Sequence, residues 1–306
     1  MIASLHYVLA SFGLGLITFF GSENLFWSAP MPGITLQEIG LTIIAYSVCC
    51  AAGLSAVLWS GIRGWPALFL GGAIVGWLVE GVIVGTTYDF FPVYLIWTPL
   101  AWHALVTGLC IVGLCRAGVH WPEGQQMAGL VGLGLFAAYF AQFWPLERGE
   151  MPSFSDVLSY VFGLSVVVPL GNLALDRAGP LKMPPRLVLL VAPGALAALW
   201  AVQTMASMNI LRLSVPLLIA LTIWVMRRLA PAPALATDLD FGAPAPLWRH
   251  GLFLIAPLIS SVLSVVGWAV LQGHSANIPV ALGCGALALF LWGLLLVRAM
   301  RIASPA

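Results

Sequence analysis

The chain has 306 residues, of which 61% are hydrophobic and only 8% are charged. Soluble domains carry about 25% charged residues, so this composition excludes a soluble protein. A net charge of +1 argues against nucleic acid as a partner, because nucleic-acid-binding surfaces are strongly basic. What remains is a multi-pass integral membrane protein. We expect it in a bacterial cytoplasmic (inner) membrane, with membrane lipids as its partners.

Ten apolar runs follow one another along the chain, and each approaches or exceeds the roughly 20 residues that a spanning helix needs. They cover residues 3–21, 39–60, 65–86, 93–115, 126–145, 155–175, 187–206, 210–227, 249–271 and 277–299. The sequence therefore predicts an all-α bundle of ten transmembrane helices, forming a single integral membrane domain over residues 1–306. Only Ser207, Met208 and Asn209 separate the seventh and eighth runs, so nine spans, with one long broken helix, is the alternative.

The basic residues predict the orientation of the bundle. With ten spans, ten of the twelve Lys and Arg residues fall on the side of the two termini, and only Arg148 and Arg212 fall on the other side. Because loops rich in Lys and Arg stay in the cytoplasm, both termini are predicted to be cytoplasmic (N-in, C-in). The longest loop, residues 229–248, lies on that side, is rich in Ala and Pro, and is predicted to be a flexible linker.

The spacing of Cys and His residues favours neither a metal nor a cofactor. The five cysteines match no zinc or haem-attachment motif, and no two of the five histidines are spaced as neighbours on one helix face. The single lysine, Lys182, lies in a loop, so a Schiff base inside the bundle has no candidate. We therefore expect no metal site and no bound cofactor.

Glu80 is the only acidic residue well inside a predicted span, where an unneeded charge costs about 2–3 kcal/mol. Gly72, Gly76 and Glu80 recur every four residues, so they lie along one face of the third helix. Small residues at this spacing let a neighbouring helix approach closely. The face is a functional site around Glu80, a packing groove in which the carboxyl group only forms a hydrogen bond, or a docking surface for a protein partner at Gly72 and Gly76.

The fourth span carries the polar residues best placed to meet Glu80. Pro99 cannot donate a backbone hydrogen bond, so it should free a carbonyl group near Leu95 and kink the helix. At about 1.5 Å of rise per residue, His103 lies roughly 7 Å from the depth of Glu80, and side chains with one water can bridge that gap. A carboxyl group and an imidazole so placed suit acid–base catalysis. We predict Glu80, His103 and Asp89, in the outer turn, as catalytic residues; the alternative for His103 is a structural hydrogen bond to a backbone carbonyl.

Aromatic and polar residues around the outer turn form the predicted substrate-binding group, and we expect the site to open towards the outer face. Glu23, at the outer end of the first span, either joins the site or only ends its helix in contact with water. Arg212 could pair with an outer acid or hold a lipid phosphate. The whole group consists of Tyr88, Tyr94, Thr98, Trp102, Glu23 and Arg212.

One stretch, residues 76–102, resembles the signature of the bacterial and archaeal carotenoid-biosynthesis hydratases, which are multi-pass membrane enzymes that add water to an isoprenoid double bond. The residues that carry the resemblance are Glu80, Thr86, Phe90, Pro99 and Trp102. The glycine-rich turn of that family is replaced here by Tyr88 and Asp89. The resemblance implies acid-catalysed chemistry at Glu80 on a long apolar substrate.

Three kinds of function are compatible with these patterns. The first is a membrane-embedded enzyme that acts on a lipid or an isoprenoid through Glu80 and His103. The second is a transporter or channel for a small solute, with Glu80 as a proton or cation site behind an outer face that several acids make negative. The third is a non-catalytic subunit or assembly factor that docks through its glycine-rich third span.

Overall fold

The computed structural model describes residues 2–28, 30–231 and 239–302. These residues form helices and no β-strand, and ten of the helices are long and apolar enough to cross a membrane. The predicted all-α, ten-span bundle is therefore confirmed. The spans, numbered in chain order, are Ile2–Asn24, Leu36–Ser60, Gly64–Val84, Val93–His120, Glu123–Glu147, Phe154–Ala178, Arg186–Ser207, Ile210–Leu229, Leu247–Leu271 and Asn277–Arg301.

Spans 7 and 8 are separate helices joined by a two-residue turn. Span 7 ends at Ser207, and Met208 takes the left-handed conformation with φ of 50°. The side chain of Asn209 then accepts a hydrogen bond from Leu211 N at 3.0 Å and starts the next helix. A left-handed residue followed by an Asn cap ends one helix and begins another, so ten spans, rather than nine, is the correct number.

Short connections make consecutive spans alternate in direction, so residues 61–63, 121–122 and 179–185 lie at the same end of the bundle as the two termini. We call this end the terminal side and the opposite end the far side. The assignment of the terminal side to the cytoplasm stays a prediction.

The long connection on the terminal side is fixed to the bundle where it is described. Residues 232–238 of the predicted linker 229–248 lie outside the described residues. Leu239 pairs with Leu181 through two backbone hydrogen bonds of 2.7 and 3.2 Å, and Arg116 Nε donates to Phe241 O at 3.0 Å. Leu239 is buried, and the prediction of a flexible linker over residues 229–248 stays a prediction.

Spans 3 and 4 are in backbone contact along the glycine face that the sequence predicts. A Cβ added at Gly76 would lie 2.6 Å from Pro99 Cα, and one added at Gly72 would lie 2.9 Å from His103 O. These distances are too short for any side chain, so only glycine permits this approach. The Gly72–Gly76 face, considered above as a surface for a protein partner, is occupied by the chain's own fourth span.

Several spans contain π-helical segments, in which backbone hydrogen bonds reach five residues back. One such bond joins Gly85 N to Glu80 O at 2.9 Å. Wide turns of this kind are rare and are frequently found at functional sites. The segments in spans 1, 3, 4 and 6 are Phe20–Asn24, Val79–Val84, Trp97–Val112 and Leu158–Phe162.

Pro99 interrupts the backbone hydrogen bonds of span 4, as its missing N–H group predicts. Because Pro99 has no N–H group, it cannot donate the helical hydrogen bond to Leu95 O. Trp77 Nε1 of span 3 donates to this carbonyl instead, at 3.3 Å. The helix resumes with a wide turn in which Ala101 N donates to Ile96 O at 2.9 Å. The freed carbonyl thus becomes a second link between spans 3 and 4.

We expect Gly76→Ala to lower the free energy of unfolding by about 1–3 kcal/mol, because an extra carbon at a fully packed position forces such a cost. The matched control is Gly132→Ala in span 5, where an added Cβ meets no atom within 4 Å. Unfolding of both variants in detergent micelles measures the difference. Equal stability of the two variants would contradict the backbone contact between spans 3 and 4.

Candidate functional site

Glu80 and His103 form a direct pair between spans 3 and 4. Glu80 Oε1 and His103 Nε2 are 3.0 Å apart, and the hydroxyl group of Thr86 donates a hydrogen bond to Glu80 Oε2. The side chain of His103 is 2% exposed and that of Glu80 is 14% exposed. The rise of the two helices predicts a vertical gap of about 7 Å between the two residues. The backbone contact at Gly76 brings spans 3 and 4 close enough for a direct hydrogen bond.

The second imidazole nitrogen of His103 connects to span 1. His103 Nδ1 lies 3.2 Å from Ser22 Oγ, which lies 2.9 Å from Thr107 Oγ1. Trp102 Nε1 donates to the backbone carbonyl of Ser22 at 3.2 Å and fixes that turn. Both nitrogens of His103 therefore have side-chain partners, which orients the ring. Ser22 was missed by the sequence analysis, although it directly precedes the candidate Glu23.

Glu23 joins the same group through a partner on span 2. Tyr46 OH donates to Glu23 Oε1 at 2.5 Å, and the Tyr46 ring centre lies 6.0 Å from that of His103. The sequence left open whether Glu23 belongs to the site; the structure places it there. Tyr46 was missed, and its only sequence signal is a phenol group in the middle of an apolar span.

The other predicted residues of span 4 lie at different distances from the pair. The hydroxyl group of Thr98 interacts with the carboxyl group of Glu80 and also donates to Tyr94 O at 3.2 Å. Trp102 packs against Phe26, with ring centres 4.7 Å apart. The ring of Tyr94 packs instead on Phe90, in the turn between spans 3 and 4, at 5.8 Å.

Asp89 lies away from the pair. It is exposed in the turn after span 3 and takes no part in the hydrogen bonds of Glu80 or His103. The structure thus brings two of the three predicted catalytic residues together and leaves Asp89 at the surface.

Tyr88 and Arg212 form a separate contact on the far side. Tyr88 OH donates to Gly81 O at 2.9 Å, and burial raises the pKa of this phenol, which favours its neutral form. The guanidinium carbon of Arg212 lies 4.9 Å from the Tyr88 ring centre, and Nη1 donates to Gln203 Oε1 at 3.0 Å. The two residues attach spans 7 and 8 to the turn after span 3.

A cavity of about 670 Å³ reaches His103, but not Glu80, from the terminal side. At its deep end it is lined by His103 and Thr107, and at the other end by Trp65, Arg116 and Asp240. Its lining is predominantly apolar. The sequence predicts an opening towards the end of the bundle opposite the termini, whereas this cavity runs from His103 towards the terminal side.

A second buried polar cluster lies at the terminal end of this cavity. Arg116 Nη2 and Asp176 Oδ1 are 2.8 Å apart, and Asp176 Oδ2 lies 2.7 Å from His250 Nε2. Arg116 Nη1 also donates to Asn172 Oδ1 at 3.3 Å. The sequence assigns no role to Arg116, Asp176 or His250, each of which stands near the end of its own span. Only the assembled bundle shows that they are buried against one another.

No model of a known protein family matches the chain, and neither does any curated protein sequence or solved structure. Within the described ranges, no three His, Cys, Asp or Glu side chains are arranged to hold a metal ion. The chemistry available at the site is therefore best judged from its own geometry.

That geometry suits the movement of protons. A carboxyl group, an imidazole and two hydroxyl groups form one continuous chain from Glu80 through His103 and Ser22 to Thr107. Each member can both donate and accept in at least one protonation state. A proton can therefore pass along the chain without any member leaving its place.

We expect each nitrogen of His103 to respond to its own partner. Ser22→Ala should shift the ¹⁵N signal of Nδ1, and Glu80→Gln should shift that of Nε2. Solid-state NMR of the ¹⁵N-His protein in bilayers measures both, with the His103 signals assigned by their loss in His103→Gln. If either substitution leaves both nitrogens unchanged, the corresponding hydrogen bond is not formed.

Asp176→Asn should lower the free energy of unfolding by about 3–5 kcal/mol, because removing one partner leaves the charge of Arg116 buried and uncompensated. Asp240→Asn, on an exposed residue of the same end, should cost less than about 1 kcal/mol. Parallel unfolding curves in one detergent compare them. A small effect at Asp176 would show that water reaches this cluster.

Proposed function

We propose that the protein is an integral membrane enzyme that acts on a lipid or isoprenoid substrate by acid–base chemistry at Glu80 and His103. The observation that carries the proposal is that His103, hydrogen-bonded to Glu80, lines the deep end of a large, mostly apolar cavity. A purely structural pair would not need such a cavity beside it. The volume of about 670 Å³ lies in the range of about 300–1,000 Å³ that is typical of binding sites for small molecules.

The apolar lining favours a hydrocarbon substrate over a polar solute. Lipid chains enter such a cavity without losing hydrogen bonds to water, whereas a polar solute would have to give them up. The polar groups at the terminal end, among them Asp240 and His120, would face the head group of a lipid. The substrate would then enter from the leaflet on the terminal side.

The pair has the parts that proton transfer requires. One member gives a proton to a carbon or oxygen of the substrate, and a proton released from water or from the substrate returns to the pair, which ends as it began. Ser22 and Thr86 hold the two side chains from outside the pair. Thr86 also belongs to the stretch that resembles the carotenoid-biosynthesis hydratases, and it donates to the carboxyl group that the resemblance marks as the acid.

A proton-coupled transporter is the second candidate. Two features of the bundle favour it. The Glu80–His103 group lies in the far-side half of the bundle, and the cavity lies between that group and the terminal side. A solute or proton that reached His103 from the terminal side would need only a short further path. Transport of a polar solute, however, fits the apolar lining less well.

Glu80→Gln should abolish the conversion of the lipid substrate while the protein still folds and inserts, because glutamine keeps the shape but loses the proton. The measurement compares extracted lipids from cells without the protein, with the wild type and with the variant, by mass spectrometry. Glu123→Gln, an exposed acid at the start of span 5, is the control and should leave the lipids unchanged.

Two outcomes decide between the candidates. Identical lipid profiles in cells with and without the protein would overturn the enzyme proposal. If the purified protein in liposomes then showed a pH-dependent flux that Glu80→Gln removes, the transporter would replace it.

A further inference from the structure

A second large cavity, of about 540 Å³, lies between spans 2, 3, 7 and 8. It shares no lining residue with the cavity beside His103. Span 3 separates the two: Ile74 and Leu78 line this groove, whereas Gly72 and Val75 line the other cavity. Nothing in the proposed acid–base chemistry makes use of this groove.

The groove is apolar along its length, and its length suits the acyl chain of a lipid. The hydroxyl group of Ser55 donates a hydrogen bond to Leu189 O at 2.9 Å, and Trp200 Nε1 donates to Arg212 O at 3.0 Å. These two polar groups therefore have partners within the protein. From Arg186 to Trp200 the helix rises roughly 21 Å, most of the ~30 Å hydrocarbon thickness of a bilayer. Span 7 is the least buried span, so the groove adjoins the lipid.

The terminal end of the groove is positively charged. Arg186 lines it as the first residue of span 7, is exposed, and among the described residues has no hydrogen-bond or ion-pair partner. Arg227 stacks on Trp59, another lining residue, with its guanidinium carbon 4.7 Å from the ring centre. Tryptophan and arginine together mark the level of the lipid head groups. Guanidinium groups bind phosphate through paired hydrogen bonds.

We propose that this groove binds an anionic phospholipid from the leaflet on the terminal side, with one acyl chain along spans 2, 3, 7 and 8 and its phosphate at Arg186 and Arg227. Basic pockets between transmembrane helices bind such head groups. The acyl chain of the lipid fills the space that spans 7 and 8 leave open. The lipid therefore connects these two spans to the rest of the bundle. The proposal is independent of the acid–base chemistry at Glu80.

The first test measures the preference for a negative head group. The protein is purified in detergent with equal amounts of phosphatidylglycerol and phosphatidylcholine that carry the same acyl chains, and lipids retained per chain are counted by native mass spectrometry. The wild type should retain phosphatidylglycerol preferentially. Arg186→Gln with Arg227→Gln should weaken its binding about tenfold or more, since each arginine contributes about 1 kcal/mol near an anionic lipid.

The matched control is Arg298→Gln with Arg301→Gln, which removes the same charge at the same end of the bundle from residues that do not line the groove. It should retain phosphatidylglycerol like the wild type. Equal loss in both double variants, or equal retention of the two lipids by the wild type, would overturn the proposal.

The second test fills the groove with a side chain. Ala197 is exposed and lines the groove, whereas its exposed neighbour Ala198 does not. Ala197→Trp should displace the phosphatidylglycerol that the wild type retains, and Ala198→Trp should not. Thermal unfolding of each variant confirms that it is folded. Retention of the lipid by folded Ala197→Trp would show that its chain lies elsewhere and would overturn the assignment.

Discussion

The contact between the backbones of spans 3 and 4 is the constraint on which the candidate site depends. Gly72 and Gly76 have no side chains, so span 4 approaches to distances that any Cβ would forbid. Glu80 continues the same face, and the wide turns of both spans carry it and His103 to a direct hydrogen bond of 3.0 Å. With larger residues in place of the glycines, the two helices would separate and the carboxyl group would lose its partner in the hydrocarbon.

Burying an ionisable group in an apolar bundle is costly, and in this protein two clusters bring such groups together. The Glu80–His103 group draws members from spans 1 to 4, and the group around Arg116 and Asp176 joins spans 4 and 6 to the helix that starts span 9. A lone charge at either place would be costly. Between the clusters the bundle is left with an apolar cavity, so the polar groups define the ends of a space that suits a hydrocarbon.

The direction of that cavity follows from the sizes of the side chains on the two sides of His103. On the far side, Trp102 packs against Phe26 and Phe140, with ring centres less than 5 Å apart, and these large rings fill the space. On the terminal side, the cavity runs beside Gly72 and Gly108, where the backbones of spans 3 and 4 are in contact. Trp102, which the sequence assigns to the substrate-binding group, thus lies at the closed end of the cavity.

The sequence by itself determined the class of the protein, predicted ten spans with nine as the alternative, and placed Glu80 on the glycine face of span 3. Hydrophobic runs, a proline inside span 4 and glycines every four residues are local patterns, and each has a local structural consequence. Only the tertiary structure decided which distant groups meet: Ser22 and Tyr46 with the Glu80–His103 group, and Arg116 with Asp176. Contacts between such distant residues depend on how several helices pack together, and the side-chain volumes of all these helices determine that packing. The spacing of residues along one helix therefore cannot predict these contacts.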